Sequence, residues 1–336
     1  MTVLVTGGAG YIGSHMVYEL LAAGERVVVL DNLSTGFDWA VPGLAPLIVG
    51  DSGDQRLVAA LIAEHAVSAI IHFAASIVVP DSVSDPLGYY RNNTVNSRAL
   101  IETAVKSGVP HFIFSSTAAV YGNPAVVPVG EDAPTAPMSP YGSSKLMTEI
   151  MLRDAGRAHG LRHVILRYFN VAGADPESRT GQSTRGATHL IKVAIETALG
   201  QRARMEVFGT DYPTADGSCI RDYIHVSDLV RAHSDALRYL RGGGESVTCN
   251  CGYGRGFSVL EVIETVRRVS GVGFRADFAP RRPGDPAQIV AMSERARSLL
   301  GWRPQLDDLP TIVGHALAWE RKLAARRHNA GTEGLA

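Results

Sequence analysis

Cysteine is scarce in this chain, whose 336 residues include three: Cys219, Cys249 and Cys251. So small and odd a number excludes the dense disulfide framework that is typical of small secreted domains. Cys249 and Cys251 flank a single asparagine, a spacing that matches none of the usual zinc patterns. We therefore expect reduced structural thiols and no metal site.

The chain also has little net charge and no long apolar run. Its formal net charge is -1 and its sequence pI is about 6.8, which gives no reason to expect a nucleic-acid or anionic-membrane partner. No apolar run approaches membrane-spanning length, and a strand predicted from residue 2 leaves no room for a signal peptide. We expect a soluble, cytoplasmic protein.

The chain is rich instead in short β-branched runs that alternate with longer amphipathic segments. This alternation predicts an α/β fold, a Rossmann-type doubly wound parallel sheet with a smaller, interleaved C-terminal substrate domain. The predicted strands are 2–6, 26–30, 46–49, 68–73, 111–116 and 163–168. The predicted helices are 11–23, 54–65, 86–108, 141–158, 188–200 and 258–270.

The composition changes after residue 170 and suggests a domain boundary. We predict a dinucleotide-binding domain over residues 1–172 and a second domain over 173–330, with a segment near 220–240 returning to the first. Residues 173–186 and 271–288 are predicted to be loops, and the last ten residues to be frayed.

A glycine-rich turn joins the first predicted strand to the first predicted helix. Gly7, Gly10 and Gly13 allow a tight turn, close approach of the backbone to a pyrophosphate and close helix packing. Tyr11 and Ile12 open the helix, whose free N–H groups and dipole favour an anion. The pattern predicts a dinucleotide site, against the alternative of a plain glycine turn.

Asp31 ends the second predicted strand. An acid at this place accepts hydrogen bonds from the ribose hydroxyls and repels a 2′-phosphate. Asn32 follows it and no arginine comes directly after. The predicted cofactor is therefore NAD rather than NADP.

Tyr141 and Lys145 stand four residues apart in a segment that is predicted to be helical, so their side chains share one face. A lysine ammonium there would lower the pKa of the tyrosine and make it a general base. Thr117 follows the strand 111–116, where its hydroxyl would face the ligand crevice and exchange protons with Tyr141. Taken alone, the Tyr141–Lys145 spacing also fits a surface helix with a buried ring. The Thr117 hydroxyl, taken alone, also fits a side chain bonded to local backbone.

Further cofactor contacts are expected at the ends of two other strands and on one helix. The competing interpretations are that Asp51 is an exposed turn residue and that Asn92 and Asn93 are ordinary exposed residues of a helix. The candidates are Asp51, Ser52, Phe73, Ala74, Ala75 and Asn92, with Asn93 as the other choice on the helix.

Arg221, Arg282 and Asp285 are the candidate anchors of the distal ligand. Guanidinium groups bind diphosphate as bidentate clamps, and Arg282 lies in a proline-bounded loop. The competing interpretation is solvated surface arginines.

Together these residues resemble the extended short-chain dehydrogenase/reductase family, and within it the UDP-hexose 4-epimerases. The match covers nearly the whole chain. Its most specific stretches are 3–15, 31–33, 112–116, 139–142, 166–170, 211–214, 221–226 and 279–282.

The resemblance implies tightly held NAD, a UDP-hexose substrate bound by the second domain, and a homodimer built on the helices at 86–108 and 141–158. It implies a reaction in which UDP-galactose and UDP-glucose interconvert through a transient 4-ketose. The further contacts it implies are Phe169 for the cofactor and Asn170, His189, Leu190, Val207, Phe208 and Ile289 for the substrate.

Four positions depart from the family pattern. Ile77 replaces a lysine that in several relatives reaches the cofactor pyrophosphate, so phosphate binding is expected to depend more on the glycine turn. Thr117 replaces a serine and keeps the hydroxyl, and His189 replaces an asparagine and can still donate one hydrogen bond. Ile289 replaces a residue, often tyrosine, that limits space near the sugar 2-substituent. This change leaves open an epimerase of UDP-N-acetylglucosamine or of both sugar pairs.

Two other activities remain as alternatives. A nucleotide-sugar 4,6-dehydratase needs an acid–base pair beside Thr117, where this chain has Ala118 and Ala119. A non-catalytic NAD-binding protein has no need of the tyrosine and lysine, which are both present here.

Overall fold

A computed structural model describes residues 1–184, 186–282 and 284–333 of the chain. Residue 283, inside the predicted loop that carries Arg282, lies outside the described residues. So do the last three residues of the predicted frayed end, and the chain before them is helical as far as Glu333.

The strands are numbered in chain order. They are β1 (Thr2–Thr6), β2 (Arg26–Asp31), β3 (Leu47–Val49), β4 (Val67–His72), β5 (His111–Thr117), β6 (Arg162–Tyr168), β7 (Asn170–Ala172), β8 (Met205–Phe208), β9 (Ile220–His225), β10 (Val247–Cys251), β11 (Gly256–Ser258), β12 (Ala276–Ala279) and β13 (Gln288–Ile289).

The helices are numbered in the same way. They are α1 (Tyr11–Ala22), α2 (Gln55–His65), α3 (Val79–Ser84), α4 (Pro86–Tyr89), α5 (Asn96–Lys106), α6 (Pro140–His159), α7 (Leu190–Ala198), α8 (Val226–Arg241), α9 (Val259–Ser270) and α10 (Leu309–Glu333).

The central sheet of the described chain has seven parallel strands in the order β10-β6-β5-β4-β1-β2-β3. The six strands predicted in the first half are therefore confirmed. Apolar residues of α1 and α8 pack on one face of this sheet, and those of α2, α5 and α6 pack on the other. The doubly wound arrangement follows, because a parallel strand buried on both faces requires helices on each side.

The predicted helix over 86–108 is interrupted. Helices α4 and α5 are separated by a π-helical stretch, Tyr90–Val95, and α5 ends at Lys106. Within this stretch the buried Asn93 side chain bonds the backbone of Ser76 instead of facing solvent. Such a tertiary contact has no periodic signal in the sequence.

The second part of the chain forms its own core from α7, α9 and α10 with β7, β8 and β9. The predicted loop over 271–288 is wrong in part, since β12 pairs in parallel with β8 and β13 begins at residue 288. Strand β12 is short and partly exposed, so its pairing partner rather than its own sequence specifies it.

The chain returns to the first part after residue 220. Helix α8 packs against α1 and the central sheet, and β10 adds a strand beside β6 that the sequence did not suggest. Among the described residues, no helix combines the length and apolarity that crossing a membrane requires.

Candidate active site

The glycine turn between β1 and α1 packs closely against the backbone of the segment after β4 and against its own backbone. Gly7 has a φ of +74°, and a Cβ placed there would lie 2.6 Å from the Ala74 backbone nitrogen. A Cβ at Gly13 would lie 2.0 Å from the carbonyl oxygen of Gly7. Gly10 caps α1 without any side-chain hydrogen bond to the first turn. The first N–H groups of α1 are therefore available to an anion.

Asp31 lies at the carboxyl end of β2 and orders the loop around it. Its two carboxylate oxygens accept hydrogen bonds from the backbone nitrogens of Ala9, at 2.9 Å, and Leu33, at 2.8 Å. Each oxygen keeps a free lone pair for a ligand hydroxyl. Asn32, the next residue, is exposed.

Asp51 and Ser52 follow β3 at the edge of the sheet. The Asp51 carboxylate accepts hydrogen bonds from the Gly53 backbone nitrogen, at 2.7 Å, and from the Asn96 amide, at 2.9 Å. It therefore has a structural role in fixing the turn against α5. Its predicted contact with the cofactor stays a prediction.

The segment after β4 passes directly over the glycine turn. The backbone nitrogens of Phe73 and Ala74 donate to the Thr6 carbonyl, and Ala75 continues the segment, half-buried. The Asn92 amide donates to the Ser76 hydroxyl at 2.9 Å and holds the far end of this segment.

Tyr141 and Lys145 lie in the first turns of α6, and both are buried, as is Thr117 at the end of β5. Helix α6 begins here because Ser139 caps it and Pro140 occupies its first position. The Thr117 hydroxyl accepts from the Ala119 backbone nitrogen at 3.1 Å, and Thr117 acts on the pKa of the Tyr141 phenol, which it lowers. The structure therefore brings the three predicted catalytic residues to the same strand end.

The predicted lowering of the tyrosine pKa is wrong for the polypeptide itself. Burial raises the pKa of Tyr141 to about 12, and the Thr117 hydroxyl offsets only part of this. The Lys145 ammonium donates to the Ser115 carbonyl at 3.0 Å, and burial lowers the pKa of Lys145 to about 7. The cause is desolvation, which disfavours the charged form of each group.

Glu149 is a residue of this site that the sequence analysis missed. Its carboxylate, fully buried, accepts from the Ser116 hydroxyl at 2.6 Å and pairs with Arg167 through bonds of 2.9 and 2.6 Å. It thereby joins α6 to β5 and β6. A detectable signal existed, because Glu149 follows Lys145 by four residues on a face that must be buried.

The distal anchors form one charged cluster around Asp285. The Asp285 carboxylate lies 3.8 Å from the Arg221 guanidinium and accepts from the Arg282 Nε at 2.8 Å. The Arg282 guanidinium also lies 4.7 Å from the centre of the Phe208 ring. The Val207 side chain is fully buried in the core, so a ligand contact there would come from its backbone.

Ile289 connects this cluster to the catalytic strand end. It is paired in register with Arg221 through β13 and β9. Its buried side chain belongs to an apolar cluster that includes Phe169 and Ala118, the latter next to Thr117. The wall predicted to limit the sugar 2-substituent is therefore continuous with the wall behind the catalytic residues.

One pocket is lined by one predicted cofactor residue and by three predicted substrate residues. Tyr11, Asn170, His189 and Leu190 all line it, and the Tyr11 hydroxyl donates to the Gly173 carbonyl at 2.7 Å on its wall. His189 caps α7 and lies 3.4 Å from the Gln182 amide.

The strand order decides how far apart the two ends of the cofactor site lie. Thr117 ends β5 and Asp31 ends β2, with β4 and β1 between them. Three strand intervals of about 4.8 Å separate them by about 14 Å, a span that suits a dinucleotide laid across the carboxyl edge of the sheet.

Comparison with known proteins agrees with this geometry. The model of the NAD dependent epimerase/dehydratase family matches residues 3–252. The UDP-glucose 4-epimerase of Azospirillum brasilense is 59% identical over 332 residues, which span 99% of this chain and 95% of that protein.

Two solved structures extend the comparison to three dimensions. The UDP-glucose-4-epimerase from Stenotrophomonas maltophila, with bound NAD and formylated UDP-arabinopyranose, has a TM-score of 0.94 and 39% identity. That match covers 97% of this chain and 99% of the other. The UDP-Glc/GlcNAc 4-epimerase from Campylobacter jejuni has a TM-score of 0.84 and 49% identity, and the match covers 96% of this chain and 99% of the other.

Proposed function

The chain belongs to the NAD-dependent epimerase/dehydratase family, and from this premise we propose that it interconverts UDP-galactose and UDP-glucose with NAD as its cofactor. The observation that carries the proposal is that Thr117, Tyr141 and Lys145 are buried together at the same sheet edge as the glycine turn and Asp31. The product is an epimer of the substrate, so the enzyme is an isomerase.

The residues around the glycine turn fit NAD. A side chain at Gly7 or Gly13 would collide with backbone atoms. The N–H groups in the first turn of α1 have no side-chain cap and can bind a pyrophosphate. NAD, when bound, would supply a reversible acceptor for the hydride of the sugar C4 and a positive charge in the site. The residues proposed to hold it are Gly7, Gly10, Tyr11, Ile12, Gly13, Asp31, Asn32, Asp51, Ser52, Phe73, Ala74, Ala75, Asn92, Tyr141, Lys145 and Phe169.

Tyr141 is the proposed base for the sugar 4-hydroxyl, with Thr117 passing the proton between them. The polypeptide holds the pKa of Tyr141 at about 12, so the phenolate needs neighbouring positive charge. The Lys145 ammonium, on the same face of α6, is proposed to provide part of it. Because its own pKa is lowered to about 7, this contribution weakens as the pH rises above neutrality.

Firm binding of the diphosphate and loose binding of the hexose explain how the transient 4-ketose can turn either of its faces to the cofactor. Arg221 and Arg282 are proposed to hold the diphosphate firmly, with Asp285 keeping both guanidinium groups in place. The hexose is held loosely and turns about this anchor. The other residues proposed to bind substrate are Thr117, Tyr141, Asn170, His189, Leu190, Val207, Phe208 and Ile289.

We also propose the domain division of residues 1–172 for NAD and 173–330 for the UDP-sugar, with a return segment near 220–240. The packing of α8 on the central sheet supports the return segment. The three buried free thiols suit a reducing cytoplasm.

A homodimer built on the helices near 86–106 and 140–159 is proposed as the working assembly. These helices carry large apolar side chains that face solvent, among them Leu87, Val95, Met147 and Ile150. Exposed apolar side chains on helical segments that pack side by side support an interface here.

Two other activities are less well supported. A 4,6-dehydratase would need acidic or basic groups after Thr117, where the chain has Ala118 and Ala119. A protein that binds NAD without catalysis would have no need of Thr117, Tyr141 and Lys145 buried together.

The proposal is tested by incubating the purified protein with UDP-galactose and no added NAD, and separating the products by chromatography. Steady formation of UDP-glucose without accumulation of NADH supports it. Growth of free NADH during turnover would indicate an ordinary dehydrogenase instead.

Substituting Ile289 is expected to change which sugars are accepted. Isoleucine is shorter than tyrosine, so the wall near the sugar C2 recedes, and the wild type should show measurable activity on UDP-N-acetylglucosamine. Ile289→Tyr should lower that activity about tenfold or more and leave hexose turnover largely unchanged. The Campylobacter jejuni relative, which is named for both sugars, supports this expectation.

Ile289→Val is the matched control, because it keeps a β-branched aliphatic side chain in the same apolar cluster. Both variants are assayed at high enzyme concentration with each sugar. If the wild type converts no UDP-N-acetylglucosamine, a residue other than Ile289 limits the size of the sugar 2-substituent.

A further inference from the structure

Two tryptophans from distant parts of the chain stack beside the predicted cofactor loop. Trp39 lies in the connection between β2 and β3, and Trp319 lies on α10; their ring centres are 6.2 Å apart with an interplanar angle of 29°. The Arg326 guanidinium covers the Trp39 ring at 4.1 Å. We call these three side chains the tryptophan clasp.

The loop that bears Trp39 is also fastened to the glycine turn. The Phe37 backbone nitrogen donates to the Ala9 carbonyl at 3.0 Å, and a Cβ at Gly36 would lie 2.8 Å from the Ala9 carbonyl carbon. Asp31 bonds the Ala9 backbone nitrogen from the other side. The Phe37 ring in turn lies 5.0 Å from that of Trp39. One continuous segment thus runs from the predicted ribose contact to the clasp.

Helix α10 is a firm support for the clasp. Trp319 is buried, and its indole fills the space beside Gly181, where a Cβ would come within 2.4 Å. The adjacent Glu320 is buried and pairs with Lys192 on α7, one turn after the substrate candidates His189 and Leu190. The position of α10 is therefore fixed independently of the cofactor loop.

The other half of the clasp is accessible. Trp39 is only partly buried, and the Arg326 side chain that covers it is exposed. Contacts of this kind at the surface can separate without unfolding the core. A stacked aromatic pair and a cation over a ring each add a modest, separable stabilisation.

We propose that the tryptophan clasp retains the cofactor, by holding the loop 32–40 down against the glycine turn through contact with α10. The inference rests on the proposed NAD site. For NAD to leave, this loop must lift from Ala9, and the lifting breaks the stack of Trp39 with Trp319 and Arg326. The three are positioning residues, because they act on NAD through the loop that carries Asp31 and Asn32.

The test measures how fast bound NAD leaves. Protein loaded with radiolabelled NAD is mixed with excess unlabelled NAD, and the label that remains bound is followed with time. Trp39→Ala should release NAD about tenfold faster than wild type, and Arg326→Ala should release it severalfold faster. Arg321→Ala, which removes an exposed arginine from the same helix outside the clasp, should behave as wild type.

Two measurements separate retention from folding. Turnover at saturating NAD should be unchanged in Trp39→Ala, and Trp39→Phe, which keeps a ring to stack, should restore most of the retention. If both alanine variants release NAD at the wild-type rate, the proposed role of the tryptophan clasp is wrong, and the proposed function is unaffected. A wild type that binds no NAD would overturn the proposed function, and the clasp with it.

Discussion

Replacing Tyr141 with phenylalanine is expected to lower epimerase turnover by about two orders of magnitude or more, the usual scale for a lost general base. The phenol is buried, which limits the access of solvent that could substitute for it. Removing the hydroxyl alone keeps the ring that fills the site. Binding of NAD and of UDP-sugar should therefore stay close to wild type.

Turnover is measured with UDP-galactose, and binding by calorimetry with NAD and with UDP. Tyr239→Phe on α8 is the matched control, since it deletes a hydroxyl away from the predicted site. Wild-type turnover in Tyr141→Phe would remove Tyr141 from the mechanism. Loss of NAD binding together with turnover would show that the hydroxyl serves to hold the cofactor and is not needed only as the base.

Replacing Gly13 with alanine is expected to lower NAD affinity by about a hundredfold or more and to destabilise the fold by about 1–3 kcal/mol. The new Cβ would lie 2.0 Å from the Gly7 carbonyl oxygen and 2.8 Å from the Gly8 Cα. Both are backbone atoms, so no rotamer change relieves the clash. The glycine turn must move away from α1, and the place for the pyrophosphate is lost.

Gly43→Ala is the matched control, because a Cβ there meets nothing within 4 Å. Affinity is measured by titration with NAD, and the free energy of unfolding by urea denaturation of protein stripped of cofactor. Unchanged NAD affinity in Gly13→Ala would show that the cofactor does not lie on this turn.

The first half of the fold follows closely from the sequence. Strands β1 to β6 are apolar runs in a parallel sheet, buried except for the partly exposed edge strand β3, and each stands out from the amphipathic helices around it. Strand β10 carries Asn250 as the fourth of its five residues, and the buried Asn250 amide accepts from the Tyr121 hydroxyl and donates to the Val129 carbonyl. Strand β12 depends on pairing with β8. Neither shows the pattern of an independent strand.

The site was predictable where its residues lie in compact motifs, as in the glycine turn and the Tyr141–Lys145 pair. It was not predictable where distant segments meet. The position of Glu149 on the buried face of α6 could be expected, but its pairing with Arg167 could not, and the tryptophan clasp joins residues from opposite ends of the chain. The direction of the Tyr141 pKa shift was also missed, because desolvation depends on the whole surrounding fold.

The most direct test of the central claim follows the hydrogen at the sugar C4. UDP-galactose that carries deuterium at C4 is converted by the purified protein without added NAD, and the UDP-glucose formed is analysed by mass spectrometry. The account predicts that the deuterium stays at C4, because it leaves and returns within one turnover. Replacement of the deuterium by solvent hydrogen in the product would contradict it.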